Sequence, residues 1–112
     1  MLQTLTALAE PNRLRIVELL RSGPHPVGEI GDRLGLHQPQ VSKHLRVLKD
    51  AGLVDVSADA QRRLYELRPQ PLIELDAWLE PYRRYWNTRL DALERHLATM
   101  ERRTRRRRRP RP

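Results

Sequence analysis

GLHQPQVSKHLRVLKDAG, residues 35–52, decides how this chain is read. Val41, Leu45 and Leu48 recur at helical spacing, so one side of a helix running from Leu36 to Ala51 can be pinned to a core. Across the helical wheel, Pro39, Lys43 and Arg46 lie opposite that stripe, with Gln40, Ser42 and His44 on its flanks. Gln matches an adenine edge, Arg and Lys match guanine or phosphate, and Ser serves either, so the outer side carries a set of major-groove donors and acceptors. No acid interrupts it before Asp50. A surface helix whose polar side meets only solvent would account for any one of these residues, though less easily for all of them together.

Just upstream, Val27, Ile30 and Leu34 mark a shorter amphipathic helix, and Gly35-Leu36-His37 is a connection of helix-turn-helix length. Pro39 sits inside the first turn of the following helix and Gly52 stops it. Downstream, Leu53 to Ala58 and Arg62 to Leu67 alternate apolar and polar residues around Asp59-Ala60-Gln61, which reads as a hairpin. Arg62 and Arg63 at its tip suit a phosphate or a narrow minor groove. The ordinary charged hairpin is the competing reading, and the neighbouring helix tilts the balance toward function. Toward the N-terminus, Leu2, Leu5 and Leu8 mark a short helix that Pro11 ends near Glu10. A second helix, Asn12 to Arg21, follows with Leu14, Ile16, Val17, Leu19 and Leu20 directed mostly inward, and Pro24 to Pro26 reads as a turn.

The run from Leu8 to Ile16 (LAEPNRLRI), Leu34-Gly35-Leu36, Gln38 to Leu48 and Ala51-Gly52-Leu53-Val54 together resemble the ArsR family of bacterial winged helix-turn-helix repressors over residues 2 to 68. The resemblance implies a mainly α fold with a small β-hairpin, dimeric through its N- and C-terminal helices, with double-stranded DNA as partner. By side-chain chemistry and placement, Gln38, Gln40, Ser42 and His44 are the candidates for base edges, and Lys43, Arg46, Lys49, Arg62 and Arg63 for bases or phosphates. His37 stands where the family commonly has a serine cap. An imidazole caps poorly, so either His37 has another task, for which a phosphate contact is the candidate, or the cap is simply weak. Arg13 and Arg15 receive no DNA role.

Beyond Pro69 and Pro71, Leu72, Leu75, Leu79, Tyr82 and Trp86 alternate at three and four, and Leu90, Leu93, Leu97 and Met100 resume the pattern after a stutter. One small domain cannot cover so long a stripe, so a second copy is the expected cover, with Leu2, Leu5, Leu79, Tyr82, Trp86, Leu90, Leu93 and Leu97 at the interface. Pro81 predicts a kink or a break, the second helix starting near Glu80. Trp78 and Trp86 are read as packing. Asp76 to Trp86 resembles, more loosely, a subgroup of these repressors that lacks metal ligands and is often encoded beside small-ligand-binding proteins; an unidentified small-molecule or protein effector is implied.

The formal charge is +8, yet residues 102 to 112 hold eight Arg and no acid, which leaves 14 basic and 14 acidic residues in 1 to 101. The domain at 1 to 101 is therefore neutral, and a DNA-binding argument must rest on local placement. The Arg-rich end is expected to be a disordered arm because its charges repel one another. With no cysteine there is no disulfide, thiolate site or redox thiol. No basic segment precedes an apolar core at the start, and no apolar run nears membrane-spanning length, so the expectation is cytoplasmic, without membrane contact.

Metal-sensing members of the family use cysteines where this chain has Pro26 and Gly28, or Asp/His clusters on the C-terminal helix, where His96 has no His partner; no metal and no cofactor are expected. No catalytic residues are assigned, because Ser42 and His44 diverge on a helix and no third group orients either one. His25, between prolines, is expected to face solvent. Two rivals remain: a nonspecific RNA or nucleoid binder driven by the Arg-rich end, and a protein-interaction module on a winged fold.

Overall fold

Pro11 disfavours helical geometry at Glu10, and the chain closes one short helix, α1 (Leu2–Leu8), before opening the next, α2 (Pro11–Leu20). The computed structural model describes residues 1–108. The Glu10 carboxylate caps α2 by accepting from the Arg13 N–H at 2.8 Å. Arg13 then reaches back to α1, its Nε donating to the Ala7 carbonyl at 2.8 Å and Nη2 to that of Thr6 at 3.3 Å. A cation thus closes the negative end of α1.

Arg15 does the same for α3 (Val27–Leu34), donating from Nη2 to the Leu34 carbonyl at 3.0 Å. Both arginines are therefore structural ties. Gly35 ends α3 with φ 68°, the left-handed conformation that an unbranched backbone adopts at least cost. A second glycine is required for space: a Cβ on Gly31 would lie 2.8 Å from the Leu36 carbonyl oxygen, so the turn into α4 (Gln38–Asp50) can pass this close only over a bare Cα.

The core lies where α2, α3 and α4 meet the start of the sheet. Ile16, Ile30, Val41, Leu45, Leu48, Leu53 and Val54 are its fully buried side chains. Val41, Leu45 and Leu48, the stripe expected of α4, are 0–1% exposed. On α2, Ile16, Val17 and Leu20 are buried as expected, whereas Leu14 is exposed, because the neighbouring helices cover a narrower face than five inward residues would fill. On α1 it is Thr4 and Ala7 that face in; Leu2 and Leu5 remain on the outside.

Three strands form the sheet, in the order β1-β3-β2: β1 (His25–Pro26), β2 (Val54–Asp59) and β3 (Arg62–Leu67). The hairpin is as expected, with Asp59 opposite Arg62 and Ala60 at φ 57° in the tight turn. The first strand corrects the reading of Pro24 to Pro26 as a turn: His25 pairs with Tyr65 and Pro26 with Leu64, antiparallel. Pro26 fits because it sits on an edge strand, where its missing N–H costs no ladder bond.

The last helix, α5, runs from Gln70 to Arg108 with Pro81 inside it, so the chain does not split there into two helices. It also carries through residues 102 to 108, where the charge run suggested a disordered arm; the rest of that arm, residues 109 to 112, lies outside the described residues. Arg has high helix propensity, and cations at a helix C-terminus complement its dipole, which offsets part of their mutual repulsion. By its contacts the chain forms two compact units that divide between Ala77 and Trp78. Among the described residues no helix is long and apolar enough to cross a membrane.

Candidate nucleic-acid interface

With Val41, Leu45 and Leu48 locked inward, most of the other side chains of α4 face out. Gln38, Gln40, Ser42, Lys43, Arg46 and Lys49 are all exposed. Among the described residues, Lys43, Arg46 and Lys49 form no ion pair, so three positive charges stand uncompensated along one helix. An uncompensated cation on a solvated helix is available to a phosphate or a base edge at no cost of breaking an internal pair.

Two of the expected contact residues have further tasks. Gln40 is the third residue of α4, and its Oε1 accepts from the His37 N–H at 3.1 Å, which closes one of the open donors at the helix start. Its Nε2 is left for an outside acceptor. The sequence carries the signal for this cap as a Gln three residues after the capping position. His37 itself is exposed at the cap position.

His44 is a correction. Its side chain is only 16% exposed and turns toward α2, with Nδ1 3.6 Å from Glu10 Oε2. That nitrogen is buried and has no hydrogen-bond partner among the described residues. The imidazole thus sits behind the exposed row, against the carboxylate that caps α2, and drops out of the outward-facing set. The wheel placed it on a flank, but it could not show that Glu10 folds alongside.

Both arginines of the hairpin tip are exposed. Arg62 makes a loose pair with Asp59 at 3.8 Å, and Arg63 has no partner among the described residues. The hairpin therefore adds one unpaired and one weakly paired guanidinium to the basic row of α4. The remaining apolar residues expected at an interface are also outside: Leu79, Tyr82, Trp86, Leu90, Leu93 and Leu97 on α5 are exposed in the single chain, Trp86 by 60%.

His25 is the other correction, since it is buried rather than solvent-facing. Its Nε2 meets Ser22 Oγ at 2.8 Å and its Nδ1 lies 3.3 Å from Glu29 Oε1, which Arg33 also holds at 2.8 Å. The order serine, histidine, carboxylate invites comparison with a nucleophile relay. Ser22 Oγ, however, donates to the Leu19 carbonyl at 2.8 Å, at the end of α2 where the helix dipole is negative and disfavours an alkoxide. The network is better suited to tying α2, β1 and α3 together.

The hydrogen bond with His25 is the main influence that holds the Glu29 carboxyl below its ordinary value of 4.5; burial opposes it, and the charges of His25 and Arg33 reinforce it. A depressed carboxyl contributes stability above its ordinary pKa, and that stability is lost as pH falls through the lowered value. Glu29→Gln is accordingly expected to lower the urea midpoint near neutral pH, and the gap from the unsubstituted protein should close as pH falls below the ordinary carboxylate value. A gap of constant size across that range would show that the carboxylate's charge contributes nothing.

Comparison with known proteins agrees with this geometry. A family profile described as a helix-turn-helix domain matches residues 8–57. The chain is 43% identical over 84 residues to the HTH-type transcriptional regulator Rv2034 of Mycobacterium tuberculosis, a match that covers 75% of this chain and 76% of the relative. The chain belongs to the ArsR family of winged helix-turn-helix transcriptional regulators. Another member, the HTH-type transcriptional repressor SmtB of Mycobacterium tuberculosis, is 43% identical over 77 residues, covering 67% of this chain and 57% of that one. Among solved structures, the homodimeric winged helix-turn-helix DNA-binding domain of Mb0332 from Mycobacterium bovis superposes with a TM-score of 0.61 at 29% identity, covering 71% of this chain and 74% of that one. Membership makes this ArsR-family chain a DNA-binding transcriptional regulator, and the family's members are not enzymes.

Proposed function

We propose that this ArsR-family protein is a repressor that binds an inverted-repeat operator as a homodimer and does not respond to metal. The observation that carries the reading is the two-sided character of α4: an inner stripe at 0–1% exposure and an outer row of amides, a hydroxyl and three cations without an ion pair among the described residues. Two copies would bring two such helices to one duplex, with half-sites about 34 Å apart. Support for pairing comes from the exposed stripe of α5 and from the homodimeric state of the Mycobacterium bovis relative. Support for repression comes from the SmtB relative's description.

The residues at the first metal position of the family do not fit a metal. Pro26 caps α3 and Gly28 follows it, and neither offers a side-chain donor. Among the described residues, no three His, Cys, Asp or Glu side chains gather as a metal-holding group.

The test is binding to an operator selected from random duplexes, against a scrambled duplex of equal length. Gln38→Ala is expected to cost about 1 to 3 kcal/mol on the operator and little on the scrambled duplex. Gln40→Ala should do the same and, because it also removes the cap on α4, lower the melting temperature. Equal losses on both duplexes would move these residues to phosphate contacts. Added zinc or a chelator should leave operator affinity where it was; a zinc-dependent shift reversed by chelator would overturn the metal-independent reading.

A further inference from the structure

The unit that ends at Ala77 holds ten basic and ten acidic residues, so the whole formal charge of +8 belongs to the chain beyond Trp78. It is also unevenly placed along α5. Upstream, the arginines are occupied: Arg83 and Arg84 pair with Glu80, Arg89 lies over the Tyr85 ring at 4.4 Å, and Arg95 donates to the Asp91 carbonyl. Past Glu101, the last acid in the chain, this changes. Arg102, Arg103, Arg105, Arg106 and Arg107 are exposed, helical, and without an ion pair among the described residues.

Five guanidinium groups in six residues of helix span about 9 Å, or one positive charge per roughly 1.8 Å of axis. Double-stranded DNA carries one negative charge per about 1.7 Å. The pairs at three and four residues apart, such as Arg102 with Arg106 and Arg103 with Arg107, repel one another while no anion is present. A polyanion removes that repulsion, and guanidinium groups grip phosphate oxygens in fork geometry.

We propose that the arginine-bearing end of α5 is a second, sequence-independent DNA contact that holds duplex phosphates while α4 reads bases. It rests on the operator reading above, because it takes the same duplex as its partner. The contact sets the strength and salt sensitivity of binding and leaves the choice of site to α4.

The experiment compares the full chain with a variant in which Arg102, Arg103, Arg105, Arg106 and Arg107 are all changed to Gln, which preserves helix propensity; circular dichroism checks that helicity is kept. Affinities for operator and scrambled duplex are measured from about 50 to 200 mM salt, where each neutralised phosphate contributes roughly 0.9 to the slope of log affinity against log salt. The expected result is a slope shallower by at least about one per chain, an affinity lower by about tenfold on both duplexes, and an unchanged ratio between them. A five-Lys variant should restore the slope. An unchanged slope overturns the proposal, and so does a collapse of the ratio, which would make the arginines the readers. Loss of binding to phosphatidylserine vesicles with DNA binding intact would assign the surface to lipid and also overturn it. If the unsubstituted protein itself shows no preference for the operator, the operator reading fails, whatever the slope does.

Discussion

Leu93→Asp is expected to leave the protein monomeric and to weaken operator binding by about 10²- to 10⁴-fold. In the single chain Leu93 stands exposed within a row that includes Tyr82, Trp86, Leu90, Leu97 and Met100. A carboxylate there would have to be stripped of water at a copy-to-copy interface with only apolar neighbours, a cost that such an interface does not repay. Once pairing is lost, each reading helix binds alone. The advantage of a tethered second half-site, which rests on effective concentration rather than on new contacts, disappears.

Two readouts follow this change independently. Sedimentation reports mass, and the tryptophans report burial, because Trp78 and Trp86 both lie on α5 and are exposed in one chain. Their emission should shift to the blue as the unsubstituted protein is concentrated and stay red in the variant. Asp91→Ala, beside the stripe, serves as control and should leave mass and affinity alone. A Leu93→Asp protein that remained dimeric, or a monomer that bound the operator as tightly as before, would remove α5 from the account of DNA recognition.

How much of this could be seen in the residues alone depended on whether the governing contacts were local. The stripe of α4 was legible because Val41, Leu45 and Leu48 sit one turn apart and need only a helix to bring them together. The hairpin was legible for the same reason, as its two strands are separated by two residues. His25 was not, because what buries it includes a strand pairing with Tyr65, forty positions on, and nothing in Pro24-His25-Pro26 announces that partner. The placement of His44 was not legible either, because its neighbour Glu10, the cap of α2, is far away in the sequence.

On α5, where Pro81 predicts a kink or a break and the charge run a disordered arm, the outcome depends on the whole helix rather than on single residues. Pro81 removes one backbone donor at a cost of about 3 kcal/mol or more, yet the residues on either side are good helix formers and the helix continues through it. The arginines repel one another, but helix propensity and the dipole at the helix end oppose that repulsion. For the site itself the sequence supplied most of the exposed row on α4 and in the hairpin. Geometry subtracted His44 and gave Gln40 a second role as a cap.

That division of labour within α4 leads to the other large expected effect. Leu45→Ala should destabilise the protein by about 2 to 5 kcal/mol, the range for removing a fully buried leucine, because the side chain is 1% exposed in the cluster shared with Ile16, Ile30, Val41 and Leu48. Alanine is the better helix former, so the loss cannot be charged to helix propensity. Val47→Ala, on the same helix but 37% exposed, should cost less than about 1 kcal/mol and isolates the contribution of packing. Urea unfolding gives the two midpoints, and operator binding measured well below the Leu45→Ala midpoint gives the consequence for function. The substitution leaves Gln38, Lys43 and Arg46 in place, so lost affinity would report the loosened seat of the helix rather than a missing contact. If Leu45→Ala proved no more costly than Val47→Ala, α4 would not be held from behind by that stripe, and the outward direction of its polar row would need another cause.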